Sequence, residues 1–389
     1  MVAGNDGVEV ALQNWRFIQM TSIPISIKLK AGELVEVRSK EEILSTLDQN
    51  GCLDGLPFMP EMFEFCGRQM RVYKRAHKTC DTINNSGGRR VANAVHLEGS
   101  RCDGQAHGGC QAECLIFWKE VWLKRAAAPV RKGGATVQIA NSAIQVERGA
   151  GCTECNLVAC TRKSAEDKAV EPTYVCQATE MLRASSPIKP WDWRQYWEDY
   201  SSGNFGLKWM AGVWFYANYT ALMNFGGGFG LRKAMRWIYN KVQGLRERLP
   251  HPRARGKIDM GARTPSATLN LQPGELVRVK SFEAILETID WDYYNRGLRW
   301  DAEMAPYCGG VYRVRKRVSK IIDEKNGKML RLKSEPVMLE GVTCQSKYSN
   351  CRYFCPRAIY SYWREIWLER AGENVSNAEN VGNAQCVGD

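Results

Sequence analysis

The chain has 389 residues, with Lys+Arg 54 against Asp+Glu 42 and a formal net charge of +12. Hydrophobic content of 44% and charged content of 25% exclude wholesale disorder and low complexity, and the length suggests two or three domains. No charged start followed by an apolar run and a small-residue cleavage site is visible, so a cytoplasmic, reducing setting is expected. There the 15 cysteines are expected to hold metal rather than form bridges.

The chain repeats itself. Gly32-Glu33-Leu34-Val35-Glu36-Val37 matches Gly274-Glu275-Leu276-Val277-Arg278-Val279, an offset of 242 (274 − 32). The offset holds without a gap through Thr46/Thr288, Glu61-Met62/Glu303-Met304, Cys66-Gly67/Cys308-Gly309 and Cys102/Cys344. After one deletion Cys110 and Cys114 fall on Cys351 and Cys355, and Trp118-Lys119-Glu120-Val121-Trp122-Leu123 meets Trp363-Arg364-Glu365-Ile366-Trp367-Leu368. We therefore divide the chain into copy 1 (22–126), a linker (127–150), a different middle segment (151–260), copy 2 (268–371) and a tail (372–389).

In chain order, each copy reads as mostly strand. Leu34-Val35-Glu36-Val37 alternates as a half-buried strand does, and Glu41 to Leu47 has helical spacing. Tyr312-Arg313-Val314-Arg315, Met329-Leu330 and Val337-Met338-Leu339 are further strands of copy 2, with Asn326-Gly327 as a hairpin turn after Ile321-Ile322. Short strands with tight turns over about 100 residues predict an α+β chain with two SH3-like β-barrel modules. Each would be closed by a short helix carrying Trp118/Trp122 or Trp363/Trp367 into the core.

The repeat sorts the cysteines. Cys66, Cys102, Cys110 and Cys114 correspond to Cys308, Cys344, Cys351 and Cys355, and four thiolates are what tetrahedral structural zinc takes. Buried free thiols and disulfides are the alternatives. A third set, Cys152, Cys155, Cys160 and Cys176, opens with a CxxC after Gly151 and reads as a zinc knuckle, with an iron–sulfur cluster as the alternative. Copy 1 alone adds Cys80, His96 and His107, where copy 2 has Ile322, Met338 and the Ser349 region. His107 then reads either as a loop histidine, the preferred reading, or as part of a reactive centre with Cys102 and Cys110.

In the middle segment Trp191, Trp193, Tyr196, Trp197 and Tyr200 cluster, and Trp209 to Leu231 contains no charged residue. That run is long enough to cross a bilayer, but Asn218, Thr220, Asn224 and Gly226-Gly227-Gly228 leave a buried helix and an interfacial one open. A stripe of Leu231, Met235, Ile238, Val242 and Leu245 follows, with Arg232, Lys233, Arg236, Lys241, Arg246 and Arg248 around it. Residues 209–248 thus fit an anionic inner-membrane surface or a solvated face packed on the protein. No P-loop, GxGxxG, GxSxG or HExxH is present.

Pro273 to Ser281, Cys351 to Arg357, Trp363 to Arg370 and Cys176 to Glu180 resemble a group of uncharacterised bacterial hypothetical proteins, from Cys176 to the end and, by the repeat, in copy 1. That resemblance implies no activity and supplies no catalytic residue. A barrel-level similarity to SH3-like and KOW domains implies an interaction module. The expectation is a non-catalytic, zinc-stabilised interaction protein with protein partners. The alternatives are a metal- or thiol-dependent enzyme using Cys80, Cys102 and His107 or the CxxC set, and a nucleic-acid binder through Arg313-Val314-Arg315-Lys316-Arg317.

Overall fold

Both copies begin with the same local chemistry. In the computed structural model, which describes residues 27–126, 152–163, 171–224, 229–244, 251–349 and 352–371, strand β1 (Leu34–Val37) buries Val35 and Val37 completely. The linker 127–150, Gly151, Cys351, Cys386 and the tail 372–389 lie outside these residues. Ser39 then caps helix α1 (Lys40–Leu44) in a reciprocal box with Glu42, which satisfies the free N–H groups of the first turn. Strands β2 (Cys52–Leu53) and β3 (Leu56–Pro57) form a two-residue hairpin in which Asp54 and Gly55 both take positive φ, as a type I′ turn demands. A 3₁₀ helix (Pro60–Phe65) leads into β4 (Gln69–Arg75), β5 (Lys78–Cys80), β6 (Gly88–Val91), β7 (Ala94–Leu97), β8 (Trp118–Lys119) and β9 (Leu123–Arg125).

The middle segment supplies α2 (Glu154–Cys160), the pair β10 (Arg162–Lys163) and β11 (Thr173–Tyr174), β12 (Ser185–Ile188), α3 (Arg194–Ser201), α4 (Leu207–Asn224) and α5 (Phe229–Gly244). Copy 2 then runs β13 (Leu276–Val279), α6 (Phe282–Leu286), β14 (Tyr294–Asn295), β15 (Leu298–Arg299), the 3₁₀ helix Ala302–Tyr307, β16 (Val311–Arg317), β17 (Lys320–Ile322), β18 (Met329–Arg331), β19 (Val337–Leu339) and β20 (Leu368–Arg370).

The repeat is reproduced in register. β1 pairs antiparallel with β4 and β9, as β13 does with β16 and β20. The pairing of β4 with β7 shifts between Val72 and Lys74, and that of β16 with β19 shifts at the equivalent Val314 and Lys316. In copy 1 Trp118 and Trp122 pack edge-on against Phe58, at 6.2 and 5.2 Å. In copy 2 Trp363 and Trp367 do the same against Trp300, at 5.7 and 5.4 Å. The indole N–H of Trp122 donates to Thr46 and that of Trp367 to Thr288 (3.0 and 2.9 Å). Glu120 accepts the Leu29 amide and pairs with Arg75, and Glu365 accepts the Leu271 amide and pairs with Arg317.

Two expectations need correction. The sheets do not close into barrels. Their strand orders are β8-β7-β4-β1-β9 and β19-β16-β13-β20, open at both edges. The strands that follow β4 turn away from the sheet: β5 and β6 join β12 of the middle segment, and β17 and β18 pair as a separate hairpin with Gly327 in its turn. Nor do the tryptophans share a closing helix. Trp118 lies in β8, and Trp122 ends a 3₁₀ turn (Glu120–Trp122) that sends β9 to the opposite sheet edge.

The middle segment is anchored on copy 1 through buried charge. Asp199 of α3 accepts from Lys78 at 2.5 Å, and Arg75 donates to Glu198 at 2.9 Å. Burial pushes the Asp199 carboxyl up to about 7 against the opposing pull of Lys78, whose own ammonium burial pushes down. Within the uncharged run from Trp209 to Leu231 the described helices are α4, to Asn224, and α5, from Phe229, and no helix among the described residues is long and apolar enough to cross a membrane.

Two outcomes follow. Trp122→Ala and Trp367→Ala should each cost about 3–5 kcal/mol in chemical denaturation, because each leaves a cavity in a packed aromatic cluster. A loss below about 1 kcal/mol would contradict the core assigned here. Acid should also unfold the chain early. Burial lowers His77 and His251 to about 4 and His96 to about 3, from 6.5. The native state therefore binds fewer protons than the unfolded chain, so stability present above pH 6.5 falls as pH drops towards 4, by up to about 1.4 kcal/mol per pH unit per histidine. Melting curves at stepped pH, with His96→Gln flattening the slope, check this.

Candidate metal centre

The 3₁₀ helix Pro60–Phe65 and the loop after β7 meet inside copy 1. The loop carries a second 3₁₀ turn, Gln105–His107, held between Gly104 and Gly108, both in the left-handed region. A Cβ at Gly104 would stand 1.9 Å from the Cys110 carbonyl oxygen, so only glycine lets the loop fold back there. The result turns His107 inward, 1% exposed, against Glu61 and Cys102.

One ligand atom each of Glu61, Cys102 and His107 lies within 4.8 Å of the others, and this is the one such group of three or more found among the described residues. The Cys102 thiol donates to Glu61 Oε1 at 2.9 Å. His107 Nδ1 stands 3.4 Å from the same oxygen, a charge contact too long for a well-formed hydrogen bond. Glu61 Oε2 and both ring nitrogens of His107 are buried with no hydrogen-bond partner. Buried polar atoms are costly when unpaired, so a carboxylate and an imidazole that keep unpaired atoms beside a buried thiol ask for a ligand. Burial opposes the charged form of Glu61, but His107 and the Cys102 thiol outweigh it and hold the carboxyl below its usual range. Burial, then the Glu61 charge, pushes Cys102 far up, so without an ion it is a neutral thiol.

Copy 2 carries the same site without the imidazole. Glu303 accepts the Tyr348 amide at 2.5 Å and the Ser349 hydroxyl at 2.9 Å. Burial and then Asp301 push its carboxyl up, the opposite direction from Glu61. Both bonds fall on Oε1, and Glu303 Oε2, like Glu61 Oε2, is buried with no hydrogen-bond partner; what copy 1 has and copy 2 lacks is the imidazole.

Among the described residues no three of the expected cysteine ligands lie within 4.8 Å of one another, and Cys351 of the copy 2 set lies outside them. Cys66 and Cys308 end their 3₁₀ helices apart from the other thiols, each pushed up by burial and then by an equivalent glutamate, Glu41 or Glu283. Cys102, Cys110 and Cys114 instead share electrostatic reach with Cys176 of the middle segment. Burial raises Cys114 to about 11 and Cys176 to about 12. Cys344 and Cys355 share it with Cys80 of copy 1, whose thiol donates to Cys355, raising Cys80 and lowering Cys355. The CxxC is not a knuckle: Thr153 caps α2, which carries Cys155 exposed and Cys160 half-buried while Cys152 stays buried before it. Cys160 shares electrostatic reach with Cys52 and with Cys152.

The basic run of β16 is engaged inside the chain. Arg315 and Lys316 pair with Glu113, and Arg317 with Glu335 and Glu365. Comparison with family models, with curated proteins and with solved structures finds no match.

Thiol mapping tests the arrangement. Iodoacetamide at neutral pH should modify exposed Cys155 first and leave Cys102, Cys114 and Cys176 unmodified in the native chain, since buried thiols with raised pKa form little thiolate. Peptide mass mapping after a short pulse reads this directly. Early labelling of Cys102 would contradict the buried site.

Proposed function

We propose that the chain is a non-catalytic, metal-stabilised scaffold whose first copy holds one structural zinc ion on Glu61, Cys102 and His107. The observation that carries this reading is the convergence of one ligand atom from each of these residues, with Glu61 Oε2 and the His107 ring buried and without hydrogen-bond partners. Carboxylate oxygen, imidazole nitrogen and thiolate sulfur are all zinc donors. An iron–sulfur cluster fits less well, because such clusters take thiolate ligands and the converged group contains one thiol. Zinc takes four ligands in structural sites, and Cys110, Cys114 and Cys176 supply the candidates for the fourth.

The thiol-enzyme alternative needs an activated cysteine. Reactive cysteines have a depressed pKa and some exposure, whereas Cys102 is pushed up beside Glu61 and is enclosed. A scaffold role also accords with how the copies are joined. Gln111 of copy 1 accepts the Ser319 and Lys320 amides of copy 2 at 2.6 and 3.1 Å, and Arg357 of copy 2 donates to Thr82 of copy 1 at 3.0 Å. An ion that fixes the loop 102–114 would fix this junction as well.

Metal analysis of the purified chain should return about one equivalent of zinc, not two, because copy 2 has Ser349 where copy 1 has His107. Cys102→Ser and His107→Gln should each bring the content well below one and lower the melting temperature, while Ser349→Ala leaves the content unchanged. Binding must displace the Cys102 proton, so apparent affinity should rise about tenfold per pH unit through neutral pH. A chain free of metal that melts identically with and without added zinc would end the reading.

A further inference from the structure

The helices of the middle segment leave an aromatic face uncovered. On α4 Leu207, Ala211, Trp214, Phe215, Asn218 and Leu222 are exposed and recur at helical spacing as one stripe. The opposite face of the same helix is buried through Met210, Val213, Tyr216 and Tyr219. A helix that is apolar all round belongs inside something, and the protein covers only half of this one. On α5 the exposed stripe is Ala234, Trp237, Ile238 and Lys241, with the Lys241 ammonium over the Trp237 ring at 5.8 Å.

The stripes are neighbours. Tyr219 and Tyr239 stack at 4.4 Å where the two helices pack, and Phe215, 58% exposed, stacks on the same Tyr239 at 6.5 Å. At the other end Tyr196 of α3 meets Trp214 at 5.8 Å, and α3 carries exposed Trp193 and Trp197. Trp214 and Trp237 are 50% and 63% exposed, too much aromatic surface in one region for a face meant to meet water alone.

Charge decides the occupant. From Tyr200 to Arg246 the sequence contains no Asp or Glu, yet it carries Lys208, Arg232, Lys233, Arg236, Lys241 and Arg246. Lys208, Lys233 and Lys241 are exposed. A second copy of the chain would set two acid-free cationic faces against each other, which repel. Tryptophans amid lysines, with no acid, match the headgroup layer of an anionic bilayer, where indole rings settle and cations meet lipid phosphate.

We propose that α4 and α5 form a peripheral docking face for membranes rich in anionic lipid, the helices lying in the headgroup layer. This goes beyond the metal reading and is independent of it, since none of its residues belongs to the Glu61 group. The full chain should co-sediment with phosphatidylcholine vesicles containing a quarter phosphatidylglycerol and not with phosphatidylcholine alone. High salt should release it, because exposed charges are screened within about 3 Å at 1 M. Lys208→Gln and Lys241→Gln should each weaken binding about fivefold. Trp237→Ser touches no core residue and should weaken it about tenfold, and Trp214→Ser should act likewise with circular dichroism unchanged. Equal binding to neutral vesicles, no binding to anionic ones, or an aromatic face that is covered by a dimer which Trp237→Ser dissociates would each overturn the proposal.

Discussion

The surroundings of Cys80, Cys110 and Cys355 depend on one buried junction between the copies. Glu113, 9% exposed, lies between Cys110 and Cys114 and is held by Arg315 and Lys316 of β16. Burial disfavours its charge, but the two cations outweigh that and keep the carboxyl below its usual range. Removing one partner of such a buried pair is costly, because the remaining charge is stranded. The cysteine-bearing loop of copy 1 is therefore committed to copy 2, where the Ile322 amide also approaches Cys110 Sγ at 3.4 Å. The reciprocal contact puts Cys355 of copy 2 on Cys80, the position in copy 1 equivalent to Ile322. Each loop thus leans on the partner copy's β5 or β17, and thiols are exchanged across the repeat instead of being gathered within it.

That exchange explains why a duplicated chain carries an asymmetric site. Glu61 and Glu303 occupy equivalent places, and so do Cys102 and Cys344. The histidine is the difference. An imidazole at 107 adds a ring nitrogen to a buried carboxylate and thiol, and its own nitrogens are left without hydrogen-bond partners. A backbone amide and a serine hydroxyl at 348–349 satisfy Glu303 Oε1, while its Oε2 stays buried without a partner. Only copy 1 sets a nitrogen ligand beside its buried carboxylate and thiol.

The middle segment follows a different logic. Its helices are fastened to copy 1 by ions buried with Asp199 and Glu198, and to copy 2 by aromatic contacts such as Tyr216 with Tyr348 at 4.9 Å. These contacts use one side of α4, and the opposite side keeps its tryptophan and phenylalanine exposed. A segment so tightly held on one face and so apolar on the other presents a surface in a defined orientation relative to the sheets.

Much of this was legible in the residues alone. The 242-residue repeat, the alternation of Val35 and Val37, the Asn326-Gly327 hairpin and the burial of four tryptophans all arise from local propensity and pattern, which survive whatever surrounds them. The prominence of Glu61 and His107 in copy 1 was visible too, as a recurring carboxylate and an unmatched histidine, but nothing in their spacing said that they touch. Barrel closure, the CxxC helix and the partners of each cysteine were decided by tertiary structure. Strand β6 took β12 as its neighbour, Thr153 offered a better helix cap than a metal turn, and Glu113 drew its loop towards a distant pair of cations. The reason is physical: a sulfur atom's neighbours are set by which buried charges and amides the rest of the chain must satisfy, and those pairings act across 200 residues of sequence at no separation in space.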